Sequence, residues 1–207
     1  MSSTYPLASQ GVFATIQGEG RMLGVPTIFV RLAGCSVGCP ECDTDYSVSR
    51  RATAREIAQE CVNAQTKEKW VWLTGGEPTD HDCAELVLEL HRAGFWVAMA
   101  TSGHRTNTRG WSDWPFGVDF LSVSPHSPDP DVWTQAMGNQ LNLVPGLNRC
   151  ELAEFEEILR VREAGFPYKT VTPCDGKPET VSQCVDWVQR HPDWRLGVQA
   201  HKIWGVN

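Results

Sequence analysis

Apolar residues fall into two patterns along this chain, and the two alternate. Short runs rich in β-branched and aromatic residues occupy 27–32, 70–74, 96–101, 120–124, 140–144, 168–173 and 195–199. Their length and composition predict buried strands. Helical periodicity lies between them. The segment 53–64 opens on Thr53 with Glu56 three residues on, the pairing of a capping box. Within 83–93, Leu86, Val87 and Leu90 recur at helical spacing; within 151–164, Leu152, Phe155, Ile158 and Leu159 share a face before Gly165 stops the turn. The segment 181–190 places Val181, Cys184, Val185 and Val188 similarly. This alternation predicts an α/β fold with a largely parallel sheet. The stretch 101–130 is rich in Gly, Pro, Ser and Trp and carries little helical pattern. Eight complete β/α units would need more than 207 residues. The expected form is an incomplete (partial) TIM-like barrel with reduced helices, open on one side, in a single domain spanning 1–207.

In parallel α/β folds ligands sit at the C-terminal ends of the strands. Four predicted strands end there in unusual junctions: Ala33-Gly34-Cys35, Gly75-Gly76-Glu77-Pro78, Ser102-Gly103 and Pro125-His126. Composition narrows what such a rim could bind. A 41% hydrophobic content supports a real core, and 21% charged residues argues against wholesale disorder. A formal net charge of −7 repels phosphate backbones, so no nucleic-acid partner is expected. The first residues are not a basic start followed by an apolar stretch, and no apolar run approaches the roughly 20 residues of a membrane span. A cytoplasmic protein without a membrane partner is expected. In a reducing compartment, clustered cysteines point to metal ligation or catalysis before disulfides.

Cys35-Ser-Val-Gly-Cys39-Pro-Glu-Cys42 is a C-x3-C-x2-C run. Thiolates suit iron–sulfur clusters or zinc. A structural zinc site closes with four protein ligands, and the next candidates, Cys61, His81 and Cys83, are remote and fall in segments read as helical. Three thiolates on a cubane leave one iron open for a chelating ligand, and Gly34 and Gly38 let the loop wrap a bulky group. Gly75 and Gly76 allow close backbone approach at the next strand end. Ser102 and Ser124 offer small hydroxyls at the following two. Cys61, Cys83, Cys150, Cys174 and Cys184 read as small buried apolar residues. Trp70, Trp72 and Trp96 read as packing residues, while Trp111 and Trp114 suit either a pocket wall or a subunit contact.

The cysteine run resembles the motif of the radical S-adenosylmethionine (SAM) superfamily, and Gly75-Gly76-Glu77-Pro78 resembles its segment for the SAM amino group. Residues 13–20 (Phe-Ala-Thr-Ile-Gln-Gly-Glu-Gly), residues 24–32, Cys42-Asp43-Thr44 and the C-terminal Gln199-Ala200-His201-Lys202 together look like the 7-carboxy-7-deazaguanine synthase family. The resemblance spans nearly the whole chain. It implies a carbon–nitrogen lyase that contracts the ring of 6-carboxytetrahydropterin to 7-carboxy-7-deazaguanine with loss of ammonia, in queuosine and 7-deazapurine biosynthesis. It implies a 4Fe–4S cluster on Cys35, Cys39 and Cys42, catalytic SAM, Mg2+, a flavodoxin-like or other electron donor, and a homodimer. Reductive SAM cleavage would give a radical that takes the C6 hydrogen of the pterin and later returns it.

By position, the resemblance puts Ile16, Gln17, Gly18, Glu19, Arg31, Thr74, His201 and the carboxylate of Asn207 on the substrate. Glu41, Cys42, Asp43, Gly75, Gly76, Glu77, Ser102, Ser124, Pro125, His126, Thr172 and Asp175 fall to SAM, and Thr44 to Mg2+. The residue chemistry agrees. A carboxylate such as Glu19 accepts the adjacent N–H donors of a pterin edge, and the Arg31 fork suits a carboxylate. Thr44 is a hard oxygen ligand of the kind Mg2+ takes beside water and substrate oxygens. Two positions depart from the pattern: Glu41 stands where an aromatic is usual, and His126 where lysine is usual. The alternatives are another small radical SAM enzyme, such as a glycyl-radical activase, or a non-catalytic zinc or iron–sulfur module.

Overall fold

The computed structural model describes residues 3–40, 42, 44–64, 67, 69–104, 115–146 and 150–206. Among these, nine strands form one sheet in the order β3-β1-β2-β4-β5-β6-β7-β8-β9. They are β1 (Thr4–Ile16), β2 (Pro26–Leu32), β3 (Arg50–Thr53), β4 (Trp70–Gly75), β5 (Trp96–Thr101), β6 (Phe120–Val123), β7 (Gln140–Leu143), β8 (Tyr168–Val171) and β9 (Trp194–Leu196). From β2 through β9 every neighbouring pair is parallel, while β1 pairs antiparallel with β2 and β3. The first and last strands in this order do not pair with each other, so the sheet is the expected open, partial barrel of an α/β fold.

Helices α1 (Ala54–Asn63), α2 (Ala84–Arg92), α3 (Leu152–Arg162), α4 (Pro178–Arg190) and α5 (Ala200–Trp204) follow the strands. The capping box forms as read: Thr53 Oγ1 accepts from the Glu56 amide and Glu56 Oε2 accepts from the Thr53 amide at 2.7 Å. Alternation along the strands then decides which residues meet the helices. Val30, Leu73, Met99, Leu121, Leu141 and Val171 are buried in the main core with Ile57, Leu86, Leu90, Phe155 and Trp187 of the helices. Their strand neighbours face the opposite, concave side. There Trp72, Ala98 and Phe120 form a small apolar floor with Phe29 and Trp70, and polar residues take over toward the C-terminal ends.

Several expectations need correction. β1 and β3 were not read as strands, nor α5 as a helix. α4 begins at Pro178, three residues before the periodic stretch, because proline fits a first helical turn. The last strand is Trp194–Leu196 rather than 195–199. His81 lies outside α2, at the end of a 3₁₀ turn, with Nε2 3.0 Å from the carbonyl of Ala33. Cys61, Cys83 and Cys184 are buried in the main core, as expected of small apolar residues. Trp111 and Trp114 lie outside the described residues. Among the described residues no helix is long and apolar enough to cross a membrane.

Candidate active site

A cavity of about 560 Å³ opens on the concave side, over the C-terminal ends of the strands. Cys35, Cys39, Cys42 and Thr44 line one part, with Gly75, Gly76, Ser102, Ser124 and His126 of the strand ends. Ile16, Gln17, Gly18, Glu19, Arg31, Thr74, Asp175 and His201 line the rest. Residues separated by 185 positions thus share one chamber.

The glycine junction is shaped by close backbone approach. Gly76 donates its amide to the Leu32 carbonyl at 2.8 Å, and Glu77 donates to the Gly34 carbonyl at 3.0 Å. A Cβ on Gly76 would overlap the Gly34 carbonyl oxygen, and Gly75 holds φ +110, a value that favours glycine. The cysteine loop is therefore pinned to the end of β4. Asp80 fastens it a second time, accepting from the Ser36 amide and hydroxyl at 2.7 Å each.

Glu77 also lines the cavity, but its carboxylate is engaged inside the protein. It is 2% exposed. Its Oε1 accepts from the Thr79 amide and hydroxyl and the Thr101 hydroxyl; its Oε2 accepts from the Ser102 amide and hydroxyl. The side chain is a brace between the ends of β4 and β5, which leaves backbone contacts for a ligand. Thr172 is fully buried and donates to Asn142 Oδ1 at 2.7 Å, and Gly197 packs against it; it does not line the cavity, and neither does Pro125. Glu41, Asp43 and Asn207 lie outside the described residues.

At the other end, Glu19 lies three residues past β1 and opens a 3₁₀ turn at Gly20–Met22. Asn142 Nδ2 donates to Glu19 Oε2 at 3.2 Å, Gln199 Nε2 donates to Oε1 at 3.1 Å, and His201 Nδ1 lies 3.9 Å from Oε1. Gln140 accepts from the Arg21 amide at 2.7 Å and donates to the Ser122 hydroxyl at 3.1 Å. Sequence reasoning missed Gln140 and Asn142, polar residues at alternate positions of β7, and noted Gln199 only as part of the C-terminal resemblance, without a site role. Arg31 stacks over Phe13, 5.0 Å from the ring centroid, and donates to Gln10, which holds its fork at the cavity wall.

The family model described as "Radical SAM superfamily" matches residues 29–190. The chain is 30% identical to the 7-carboxy-7-deazaguanine synthase of Burkholderia multivorans, over 96% of this chain and 98% of the relative. It is 31% identical to the enzyme of the same name from Bradyrhizobium diazoefficiens, with the same coverage. The crystal structure of QueE from Escherichia coli superposes with a TM-score of 0.73 at 25% identity, covering 96% of this chain and 95% of that one. The chain belongs to the 7-carboxy-7-deazaguanine synthase family of radical SAM enzymes.

The residues present fit the cluster that this superfamily implies. All three motif cysteines are free thiols at the cavity. Gly34 and Gly38 have positive φ and nothing within 4 Å of where a Cβ would stand, which leaves the loop room to surround a bulky group. Among the described residues no three Cys, His, Asp or Glu side chains converge on one ion position, and a cubane asks instead for thiolates on separate corners. Burial pushes the Cys39 thiol up to about 11, with Cys35 and Cys42 adding to the rise, and burial also raises Cys35. Burial pulls His126 down to about 4, so the imidazole beside Cys39 is neutral at pH 7.

Proposed function

We infer that the protein catalyses the ring contraction of 6-carboxytetrahydropterin to 7-carboxy-7-deazaguanine, with loss of ammonia, as a carbon–nitrogen lyase of queuosine and 7-deazapurine biosynthesis. One observation carries the reading: a single cavity joins a three-thiol loop with a glycine rim to a carboxylate–amide end suited to a heterocycle. Cys35, Cys39 and Cys42 would hold the cluster, which when bound would supply the electron for reductive cleavage of SAM. The backbone of Gly75 and Gly76 would let SAM approach without side chains in the way, and the Ser102 and Ser124 strand ends line the same part of the cavity. Glu19 accepts the adjacent N–H donors of the pterin, and Gln17, 7% exposed and bonded to the Glu19 amide, fixes the turn that presents it. Arg31, held by Phe13 and Gln10, meets the substrate carboxylate. Thr44 supplies an oxygen for Mg2+.

The reading includes a cytoplasmic homodimer supplied by a flavodoxin-like or other electron donor. Its cofactor half is tested by anaerobic reconstitution with iron and sulfide. Four irons per chain, a reducible 4Fe–4S signal in electron paramagnetic resonance, and loss of both in Cys39→Ala support it. Bound zinc with no cluster overturns it.

A further inference from the structure

Glu19 is gripped by two amides, one oriented by a backbone donor and the other, lodged against two buried hydroxyls, by the Glu19 carboxylate itself. Gln199 Oε1 accepts from the Asp175 backbone amide at 2.9 Å. A backbone N–H can only donate, so Gln199 must turn Nε2 toward Glu19. Asn142 Oδ1 accepts from the hydroxyls of Thr170, at 2.9 Å, and Thr172, at 2.7 Å, both buried. Its Nδ2 faces Glu19 Oε2; an inverted amide would set a carbonyl oxygen against a carboxylate. Each carboxylate oxygen of Glu19 therefore receives one fixed donor, and the carboxylate is held as an acceptor.

We propose that Asn142 is a specificity-determining positioning residue: through the Thr170–Thr172 hydroxyl pair it holds Glu19 as an acceptor-only surface that selects heterocycles with two adjacent N–H donors. The proposal rests on the placement of substrate at Glu19. A carboxylate has about four acceptor sites, so amide anchoring and ligand binding are compatible. A site built this way rejects a ring that presents an acceptor there, because two acceptors would face each other with no proton between them.

Asn142→Asp is nearly isosteric and keeps an oxygen for both threonines, but turns an acceptor toward Glu19 Oε2. Two carboxylates in contact must share a proton or repel. Among the described residues, the charged and titratable groups around Glu19 include His201 on α5, Arg21 on the adjoining turn, Arg31 across the cavity on β2, and Asp175, which is paired with Lys202. All are unchanged by the substitution, so the wild-type pH profile is the baseline.

The experiment is calorimetric titration of the reconstituted holoenzyme with 6-carboxypterin from pH 5 to pH 7.5, where the ligand keeps its 2-amino and N3–H donors. Asn142→Asp should bind near wild type at the acidic end and weaken progressively with rising pH, beyond any wild-type slope. Asn142→Ala should bind about tenfold more weakly at every pH, the loss of one anchoring hydrogen bond. Should the alanine variant fail to fold, the aspartate variant carries the test alone. An Asn142→Asp profile parallel to wild type overturns the proposal, whatever its absolute affinity. If wild type binds neither 6-carboxypterin nor the reduced substrate, the substrate reading itself fails and the proposal falls with it.

Discussion

Glu77→Gln separates a brace from a ligand. The wild-type carboxylate accepts five hydrogen bonds inside the protein, at 2.6 to 3.1 Å. A glutamine replaces one oxygen by an NH2 group. Rotating hydroxyls on Thr79, Thr101 or Ser102 can turn to accept from it, but a backbone N–H cannot. Each oxygen of Glu77 serves one backbone amide, Thr79 on Oε1 and Ser102 on Oε2, so either placement strands one. A buried donor without a partner costs about 1–3 kcal/mol, and the remaining bonds lose their charge-assisted strength. A total near 2–4 kcal/mol, at roughly 2–4 °C per kcal/mol for a chain of this size, lowers Tm by about 5–15 °C. Thermal unfolding of the cluster-free protein measures this without any cofactor. A Tm within 2 °C of wild type, together with a selective loss of SAM affinity, would refute the reasoning and return Glu77 to the ligand set.

Gly76→Ala drives a Cβ into the Gly34 carbonyl, so it should cost about 1–3 kcal/mol and abolish cluster loading, measured as iron per chain. Gly18→Ala places a Cβ 2.5 Å from His201 Nδ1; it should displace α5 and raise KM for the pterin while leaving cluster content unchanged. His126 gives a pH signature in the cluster-free protein. Its folded value of about 4 lies below the ~6.5 of an unfolded histidine. The stabilising contribution is therefore present above pH ~6.5 and lost as pH falls toward 4, by about 1–3 kcal/mol. Urea unfolding should show that slope, and His126→Gln should flatten it.

The central strands β4, β5 and β6 are legible because they are largely buried on both faces and read as apolar runs. β1 is not, because its apolar residues fall in two short runs split by Ser9-Gln10-Gly11, with a register shift between Leu7 and Val12. β3 is four residues, Arg-Arg-Ala-Thr, and is a strand only by pairing with β1. The five-residue α5 has no periodicity to read; it is positioned by the Ala200 amide donating to the Gly18 carbonyl and by Lys202 meeting Asp175.

The same physics explains what was legible in the site. The cysteine spacing and the glycine pair announce themselves because few other uses require them. Strand-end hydroxyls do not, because a shift of one residue moves a side chain to the opposite face. Thr172 turns inward to Asn142, while Ser124 reaches the cavity. Asn142 and Gln199 act through Glu19, at sequence separations of 123 and 180, and no local pattern reports such a contact.

The most direct test of the central claim is anaerobic. The reconstituted protein is given dithionite, SAM, Mg2+ and 6-carboxytetrahydropterin, and 7-carboxy-7-deazaguanine is followed by mass spectrometry. The account predicts product with wild type and none with Cys39→Ala. SAM cleavage to 5′-deoxyadenosine without the deazaguanine would contradict the substrate assignment.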